Sequence, residues 1–504
     1  MLIADKKVHD WISSFNALDN ELYAGVVPNS DAWKFLRDRI PRLDCPDAAL
    51  EEIYYFRWWT FRKHLKWTPG GFVITEFLPE VSWSGAYNTI SCAAMHHFRE
   101  GRWLRNNCFL TDYLAFWLGP ESSPRTYSFP LADSAWKLYE VNGRMQMLTE
   151  NLPRFVANYR AWEKSNMTAC GLFFQTDNHD GMECSISGAG LRATINSYLF
   201  ADATAIARIA AAAGDEMLCR KFEHKAETLR RLVLEKLWDS KRKFFMVARA
   251  DDHYRLSTVR ELHGYTPWYA GLPPSGAGYE EAWAQLLDDR GFQAPYGPTT
   301  AEQRAEGFSI SYSGHECQWN GPSWPYATSV TLTALANVLT DYRQNTVTPA
   351  DYRQLLKTYV GSHRRTLSDL QRIPWLDENL NPYTGDWISR TRLATWENGT
   401  WSAVKGGVER GKDYNHSTFC DLIISQLWGV RPDPERQKLC LAPLFDASEW
   451  EYGALTEVRL ADADWDFVWD RSGCRYNIGA GFTVRRNGYV VYRSPLPGRC
   501  EIDS

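Results

Sequence analysis

The sequence predicts a mainly α-helical fold followed by a small antiparallel β domain, and two observations support this prediction. Over residues 84–430 of the 504-residue chain, one theme repeats: an amphipathic helix, a turn and another helix. Over residues 452–492 the pattern changes to short apolar or aromatic segments separated by glycine-containing turns. Helices joined by short loops pack as antiparallel hairpins, and enough hairpins with one apolar side can close into a ring.

The repeated helices are clearest in three places. Over residues 216–238, apolar residues recur every three or four positions, which makes one apolar stripe along a helix. Residues 329–339 have the same spacing. Pro349 marks the start of the next helix, because proline is favoured in the first helical turn.

The predicted strands are residues 456–460, 465–469, 482–484 and 489–492. The prolines of residues 429–434 would stop the last helix. We therefore expect a helical body of residues 1–434, including the N-terminal helical segment, and a small β domain of residues 435–504 packed on it.

Composition and charge argue against several classes of partner. The net charge is −5 and no Lys/Arg-rich run is present, so we expect no nucleic-acid partner. Residues 1–20 lack a signal-peptide pattern, and no apolar stretch reaches the length of about eighteen residues typical of a membrane span. This predicts a cytoplasmic protein with no membrane partner. The eleven cysteines include no CxxC pair, so reduced thiols are expected, and the sequence indicates neither a metal nor another cofactor.

Four segments combine Gly, Pro, Trp, Asn and carboxylates between helices, where loops on a rigid scaffold usually hold functional sites. They are residues 76–88, 175–188, 318–326 and 374–387. Aromatic residues make up 14% of the chain, with 23 tryptophans. Indole faces can be platforms for sugar rings, but tryptophan also fills helical cores, so both interpretations stay open.

Three of these segments resemble, in the same order, motifs of glycoside hydrolase family 63, which covers processing α-glucosidases and mannosylglycerate hydrolases. Residues 321–325 are similar to its Gly-Pro-x-Trp-Pro motif, residues 378–385 to its Glu-Asn-x-Asn-Pro-x-Thr-Gly loop, and residues 180–183 to its Ser-Gly-Met-Asp loop. The resemblance implies an (α/α)6 toroid, inversion of the anomeric carbon, a general acid at Glu183 and a general base at Glu378. Asn320 stands where the family commonly has Arg, and Glu183 where it has Asp.

The residue types fit this chemistry. Inverting hydrolysis needs a carboxylic acid and a carboxylate about 6.5–9.5 Å apart, which loops distant in sequence can supply across a toroid mouth. Asp177, Asp180 and Glu183 crowd one loop, so the pKa of at least one is expected to be raised. Asp180 is a rival for the acid role, although Asp177 and Asp180 are also typical turn formers.

Further candidates for substrate binding lie in the same segments or just before the apolar helix near residue 419, where Ser417 or Thr418 could instead be an N-cap. These candidates are Trp83, Tyr87, Asn88, Asp177, Trp319, Asn320, Trp324 and His416.

Together these residues predict an exo-acting, inverting glycoside hydrolase that releases a monosaccharide from a small glycoside or an oligosaccharide end. One alternative is a glycoside phosphorylase on the same fold, which a basic residue close to the second carboxylate would favour. Another is a catalytically silent carbohydrate-binding protein. The sequence indicates neither the sugar nor the oligomeric state.

Overall fold

The computed structural model describes residues 2–106, 108–310, 317–393, 407 and 409–503, and α-helices dominate the chain before residue 430. The helices are α1 (Asp5–Leu18), α2 (Ala32–Arg37), α3 (Ala48–Phe61), α4 (Ser91–Gly101), α5 (Cys108–Trp117), α6 (Leu131–Asn142), α7 (Met145–Asn166), α8 (Ala193–Ala212), α9 (Glu216–Lys236), α10 (Thr266–Tyr269), α11 (Pro325–Asp341), α12 (Pro349–Ser362) and α13 (Ile388–Leu393). Within the described ranges, no helix is both long and apolar enough to cross a membrane.

The predicted helical hairpins are present. Of the predicted residues 216–238, residues 216–236 form α9; residues 329–339 lie within α11, and Pro349 begins α12. Between α8 and α9, Gly214 takes a left-handed φ of 76° and Asp215 caps α9 by accepting a hydrogen bond from the Leu218 N–H at 3.0 Å. This tight turn folds α9 back against α8.

The helices divide into an inner and an outer set. Every residue of α4 and most residues of α8 and α11 are buried, whereas α9 buries only apolar residues on one side. A helix that is buried all round lies inside the body, and an amphipathic one covers it. The loops before α4, α8 and α11 therefore lead into helices of the inner set.

The strands are β1 (Arg42–Asp44), β2 (Leu65–Thr68), β3 (Gly71–Ile74), β4 (Phe174–Gln175), β5 (Gly190–Leu191), β6 (Trp238–Asp239), β7 (Phe244–Phe245), β8 (Ala248–Arg249), β9 (Arg364–Thr366), β10 (Arg372–Pro374), β11 (Val430–Asp433), β12 (Lys438–Leu441), β13 (Tyr452–Leu460), β14 (Ala463–Asp470), β15 (Gly481–Arg486), β16 (Tyr489–Ser494) and β17 (Cys500–Asp503). The four predicted strands lie within β13 to β16, which pair antiparallel in sequence order.

Two strands from before residue 434 join the C-terminal sheets. β1 pairs with β13 at the edge of the five-stranded sheet, and β11 pairs with β12 in a three-stranded sheet with β17. The sequence pattern missed β1 because its pairing partner lies about 400 residues away. The predicted division after residue 434 falls between the paired strands β11 and β12, and it stays a prediction.

Candidate active site

The four segments singled out in the sequence meet in the fold. The N–H of Trp319 donates to the carbonyl of Glu183 at 3.0 Å, which joins the third segment to the second. Ser323 and Leu380 exchange two backbone hydrogen bonds of 3.0 and 2.9 Å, which join the third segment to the fourth. Three of the segments precede α4, α8 and α11. Because alternate helices in a row of hairpins run in the same direction, loops that precede such helices are at the same end of the helices.

Glu378 is held by an arginine that the sequence reasoning missed. Its side chain is 1% exposed, and Arg410 donates from Nε to Oε1 at 2.7 Å and from Nη2 to Oε2 at 2.9 Å. Burial alone would lower the pKa of Arg410, but the charge of Glu378 raises it well above its usual value. A bidentate guanidinium both orients the carboxylate and stabilises its ionised form.

The loop that carries Arg410 approaches the fourth segment very closely. A Cβ added at Gly411 would lie 1.8 Å from Oδ1 of Asp377 and 3.4 Å from Cγ of Glu378. Because no side chain fits at this position, glycine is required for the close approach. This contact places Arg410 against Glu378.

Glu183 lies in a different electrostatic environment from Glu378. It is partly buried, and its pKa is raised to about 7 by burial, with the charges of Glu378 and Asp177 adding to the effect. Hydrogen bonding from its own backbone and the charge of Arg410 oppose the shift. Glu183 therefore keeps its proton up to near-neutral pH and can act as an acid there.

Asp180 has an anchoring position in the same loop. Its buried Oδ2 accepts a hydrogen bond from Arg192 Nε at 2.7 Å and another from the hydroxyl of Thr194. Arg192 also donates to the Ser185 hydroxyl at 3.1 Å and to the Gly188 carbonyl at 2.5 Å. The ion pair thus ties the second segment together at the start of α8.

Glu76 is a third buried carboxyl group, and the sequence reasoning assigned it no role. Oε1 accepts a hydrogen bond from the hydroxyl of Tyr414, and the backbone carbonyl accepts from the N–H of Asn415 at 3.0 Å. Burial raises the pKa of Glu76 to about 8, and the charges of Glu378 and Glu183 contribute in the same direction. Its position at the head of the first segment, two residues after the end of β3, was the available signal.

Aromatic side chains surround these carboxyl groups. Trp319 stacks on Trp324 with ring centroids 4.6 Å apart, and the edge of Tyr326 meets Trp319 at 5.7 Å. The partly buried ring of Trp83 lies 5.2 Å from the guanidinium carbon of Arg410. The tryptophans therefore pack together at this site, while their role as platforms for sugar rings stays a prediction.

His416 is buried among the same rings. Its centroid lies 3.9 Å from that of Tyr414 and 5.9 Å from that of Trp324. Burial lowers the pKa of His416 well below its usual value, so the imidazole is neutral. The N–H groups of residues 419–421 are bound by the carboxylate of Glu100 in α4, so Ser417 and Thr418 do not act as the predicted N-cap.

Three predicted binding residues have hydrogen-bond partners within the protein, and their role in substrate binding stays a prediction. The Tyr87 hydroxyl donates to Glu121, which follows the end of α5, at 2.8 Å. The Asn88 side chain binds three backbone groups of its own loop, and Asn320 donates to the carbonyl of Gly307 at 3.3 Å. Each polar side chain helps to shape a loop. The residue type alone does not show whether a polar side chain has this role or binds a ligand.

The charge of Asp177 contributes to the raised pKa of Glu183. The backbone carbonyl of Asp177 accepts hydrogen bonds from the N–H groups of Asp180 at 3.1 Å and Met182 at 2.9 Å. No group of three or more His, Cys, Asp or Glu that could hold a metal ion occurs in the part of the chain that the structure describes. The carboxyl groups of the site differ from ordinary ones in proton affinity, because burial raises the pKa of Glu183 and Glu76.

The model of the mannosylglycerate hydrolase MGH1-like glycoside hydrolase domain matches residues 86–417. The chain belongs to this family. The resemblance to family 63 and its mannosylglycerate hydrolases, based on the motifs, is thereby confirmed. The match covers the second, third and fourth segments in full.

Solved structures show the same fold. One of them is named sialidase and is 34% identical to this chain, with a TM-score of 0.91. The match covers 99% of this chain and 45% of the sialidase chain, so this chain spans less than half of that relative. A family 63 mannosylglycerate hydrolase from Thermus thermophilus in complex with glucose has 12% identity and a TM-score of 0.51 over 66% of this chain and 95% of its own. A family 78 rhamnosidase of a Bacillus species has 11% identity and a TM-score of 0.55 over 85% of this chain and 40% of its own.

Proposed function

We propose that this chain is an exo-acting, inverting glycoside hydrolase that releases a monosaccharide from a small glycoside or an oligosaccharide end. The observation that carries the proposal is the contrast between two carboxyl groups. The pKa of Glu183 is raised to about 7 by burial, whereas Glu378 is paired with Arg410. Environments that keep one carboxyl protonated and the other ionised are what an acid and base pair requires.

In this mechanism Glu183 donates its proton to the glycosidic oxygen as the bond from that oxygen to the anomeric carbon breaks. Glu378 takes a proton from a water molecule, whose oxygen bonds to the anomeric carbon from the opposite face. Exchange with solvent then returns the proton to Glu183 and removes it from Glu378. Asp180 is less suited to the acid role because Arg192 already binds it.

We further propose that the hairpins form an (α/α)6 toroid whose inner helices begin at this site. The division of the helices into an inner and an outer set supports this architecture. Trp319, Trp324 and His416 are buried, and in this proposal they close the floor of the pocket. A closed floor favours binding of a chain end over an internal unit, with Trp83 at the rim.

The test is a screen of aryl glycosides, disaccharides, mannosylglycerate, rhamnosides and sialosides with wild type, Glu183→Gln and Glu378→Gln. We expect release of one sugar with inverted configuration by NMR, and a loss of about 10²- to 10⁴-fold in kcat for each variant. Glu451→Gln, in a side chain that is 80% exposed, should behave as wild type. Tight sugar binding without turnover on any glycoside would instead indicate a silent binding protein.

One observation favours a phosphorylase as the second candidate. Arg410 is a basic residue in direct contact with the second carboxylate. In a phosphorylase, phosphate replaces the attacking water and needs such a cation. Activity that survives Glu378→Gln and depends on added phosphate would support this alternative, because the variant frees the guanidinium to bind the anion.

A further inference from the structure

Glu76 has one carboxyl oxygen whose environment the mechanism above does not explain. The residue is 4% exposed, and Oε1 is occupied by the hydroxyl of Tyr414. Oε2 is buried and has no hydrogen-bond partner among the described atoms. Buried polar atoms in folded proteins are almost always paired, so Oε2 requires a hydrogen-bond partner other than the described residues.

The surroundings of Glu76 decide its protonation. The titratable and charged groups that face it are Tyr414, Glu378, Glu183, Arg410, Cys92, Tyr113 and Tyr127. Burial raises the pKa of Glu76 to about 8 despite the hydrogen bond from Tyr414, which favours the charged form. Below that pH the group is a neutral carboxylic acid.

The position of the acid proton follows from the hydrogen bond already present. Tyr414 donates to Oε1, so Oε1 acts as the carbonyl oxygen of the acid. The proton is then on Oε2, the oxygen that lacks a partner. Glu76 therefore presents one O–H donor from a buried and fixed position.

We propose that Glu76 is a substrate-binding residue of this site, which in its protonated form donates a hydrogen bond from Oε2–H to a hydroxyl oxygen of the sugar. The nature of the ligand rests on the proposed function. A neutral donor suits the position because an ionised Glu76 would add a further negative charge near Glu378 and Glu183. The same charges disfavour a carboxylate at this position of the sugar.

The test compares Glu76→Gln and Glu76→Ala with Glu80→Gln, a control in the same segment whose side chain is 84% exposed. Glutamine keeps a neutral donor, so kcat/KM should stay within about threefold of wild type, whereas alanine should lower it by about ten- to a hundredfold. The alanine variant should also lose discrimination against one deoxy analogue of the substrate. A kcat/KM of Glu76→Ala within threefold of wild type would overturn the inference.

The pH profile gives a second readout. In wild type, Glu183 and Glu76 both lose protons on the alkaline side, so log kcat/KM should fall with a limiting slope near −2 above about pH 8. In Glu76→Gln only Glu183 titrates, and the slope should be near −1. Glu80→Gln should keep the wild-type slope. An unchanged slope in Glu76→Gln would count against a protonated Glu76.

A direct observation of the proton separates this inference from the proposed function. Infrared difference spectra between about pH 6 and pH 9 should show two carbonyl bands of protonated carboxyl groups in wild type, from Glu183 and Glu76, and the Glu76 band should be absent from Glu76→Gln. If wild type cleaves no glycoside, the proposed function fails, while this band and calorimetric binding of free monosaccharides still test Glu76. If glycosides are cleaved but wild type lacks the band, the inference about Glu76 fails alone.

Discussion

Replacing Arg410 by methionine removes a guanidinium whose side chain is 2% exposed and leaves Glu378, at 1% exposure, without its bidentate partner. Breaking a buried ion pair on one side costs about 3–5 kcal/mol, because the remaining charge is buried and uncompensated. Methionine has a similar length, so a cavity adds little to this loss. We expect the urea unfolding midpoint, followed by circular dichroism, to fall accordingly, and hydrolysis to be lost in the folded variant.

The double variant Arg410→Met with Glu378→Gln tests the reasoning. It removes both charges, and replacing a whole buried pair by neutral groups is often close to neutral in stability. Its loss should therefore be smaller than the sum of the two single losses by about 1–3 kcal/mol. Arg436→Met, which breaks an exposed pair with Glu501, should leave the midpoint near that of wild type. Strictly additive effects of the two single changes would refute the assigned coupling.

Three further outcomes are expected. Between about pH 4.5 and 8 only the folded state keeps the proton of Glu76. The free energy of unfolding should therefore fall by about 1.4 kcal/mol for each pH unit because of this group. Melting temperatures measured at stepped pH should show that this contribution is absent from Glu76→Gln. Gly411→Ala forces a Cβ to within 1.8 Å of Asp377 Oδ1, so it should lower the free energy of urea unfolding by about 1–3 kcal/mol. The control Gly361→Ala has open space around the new Cβ and should not destabilise the protein. Asp180→Asn removes the carboxylate that pairs with the buried Arg192, so the melting temperature should drop, yet turnover per folded molecule should persist. Complete loss of turnover in the folded variant would return Asp180 to the acid role.

Patterns that are local in the sequence were predictable. The apolar stripe over residues 216–238 defines α9 almost to the residue, because the periodicity of side chains around a helix is a property of the segment itself. The four antiparallel strands near the C-terminus follow for the same reason, since their turns and alternating residues are contiguous. The motifs also singled out Glu183 and Glu378 before their environments were known.

Features that depend on distant neighbours were not predictable. Glu76 and Tyr414 are 338 positions apart, and Arg410 is 32 positions from Glu378, so no window of sequence contains either contact. The pairing of β1 with β13 was missed for the same reason.

By itself the sequence determined the helices, the C-terminal strands and the family, because amphipathic spacing and short motifs are written along the chain. Only the tertiary structure decided how the carboxyl groups differ. It raises the pKa of Glu183 and Glu76, pairs Glu378 with Arg410, and commits Asp180 to Arg192. Proton affinity depends on burial and on charges a few ångströms away, and these neighbours exist only once the chain has folded.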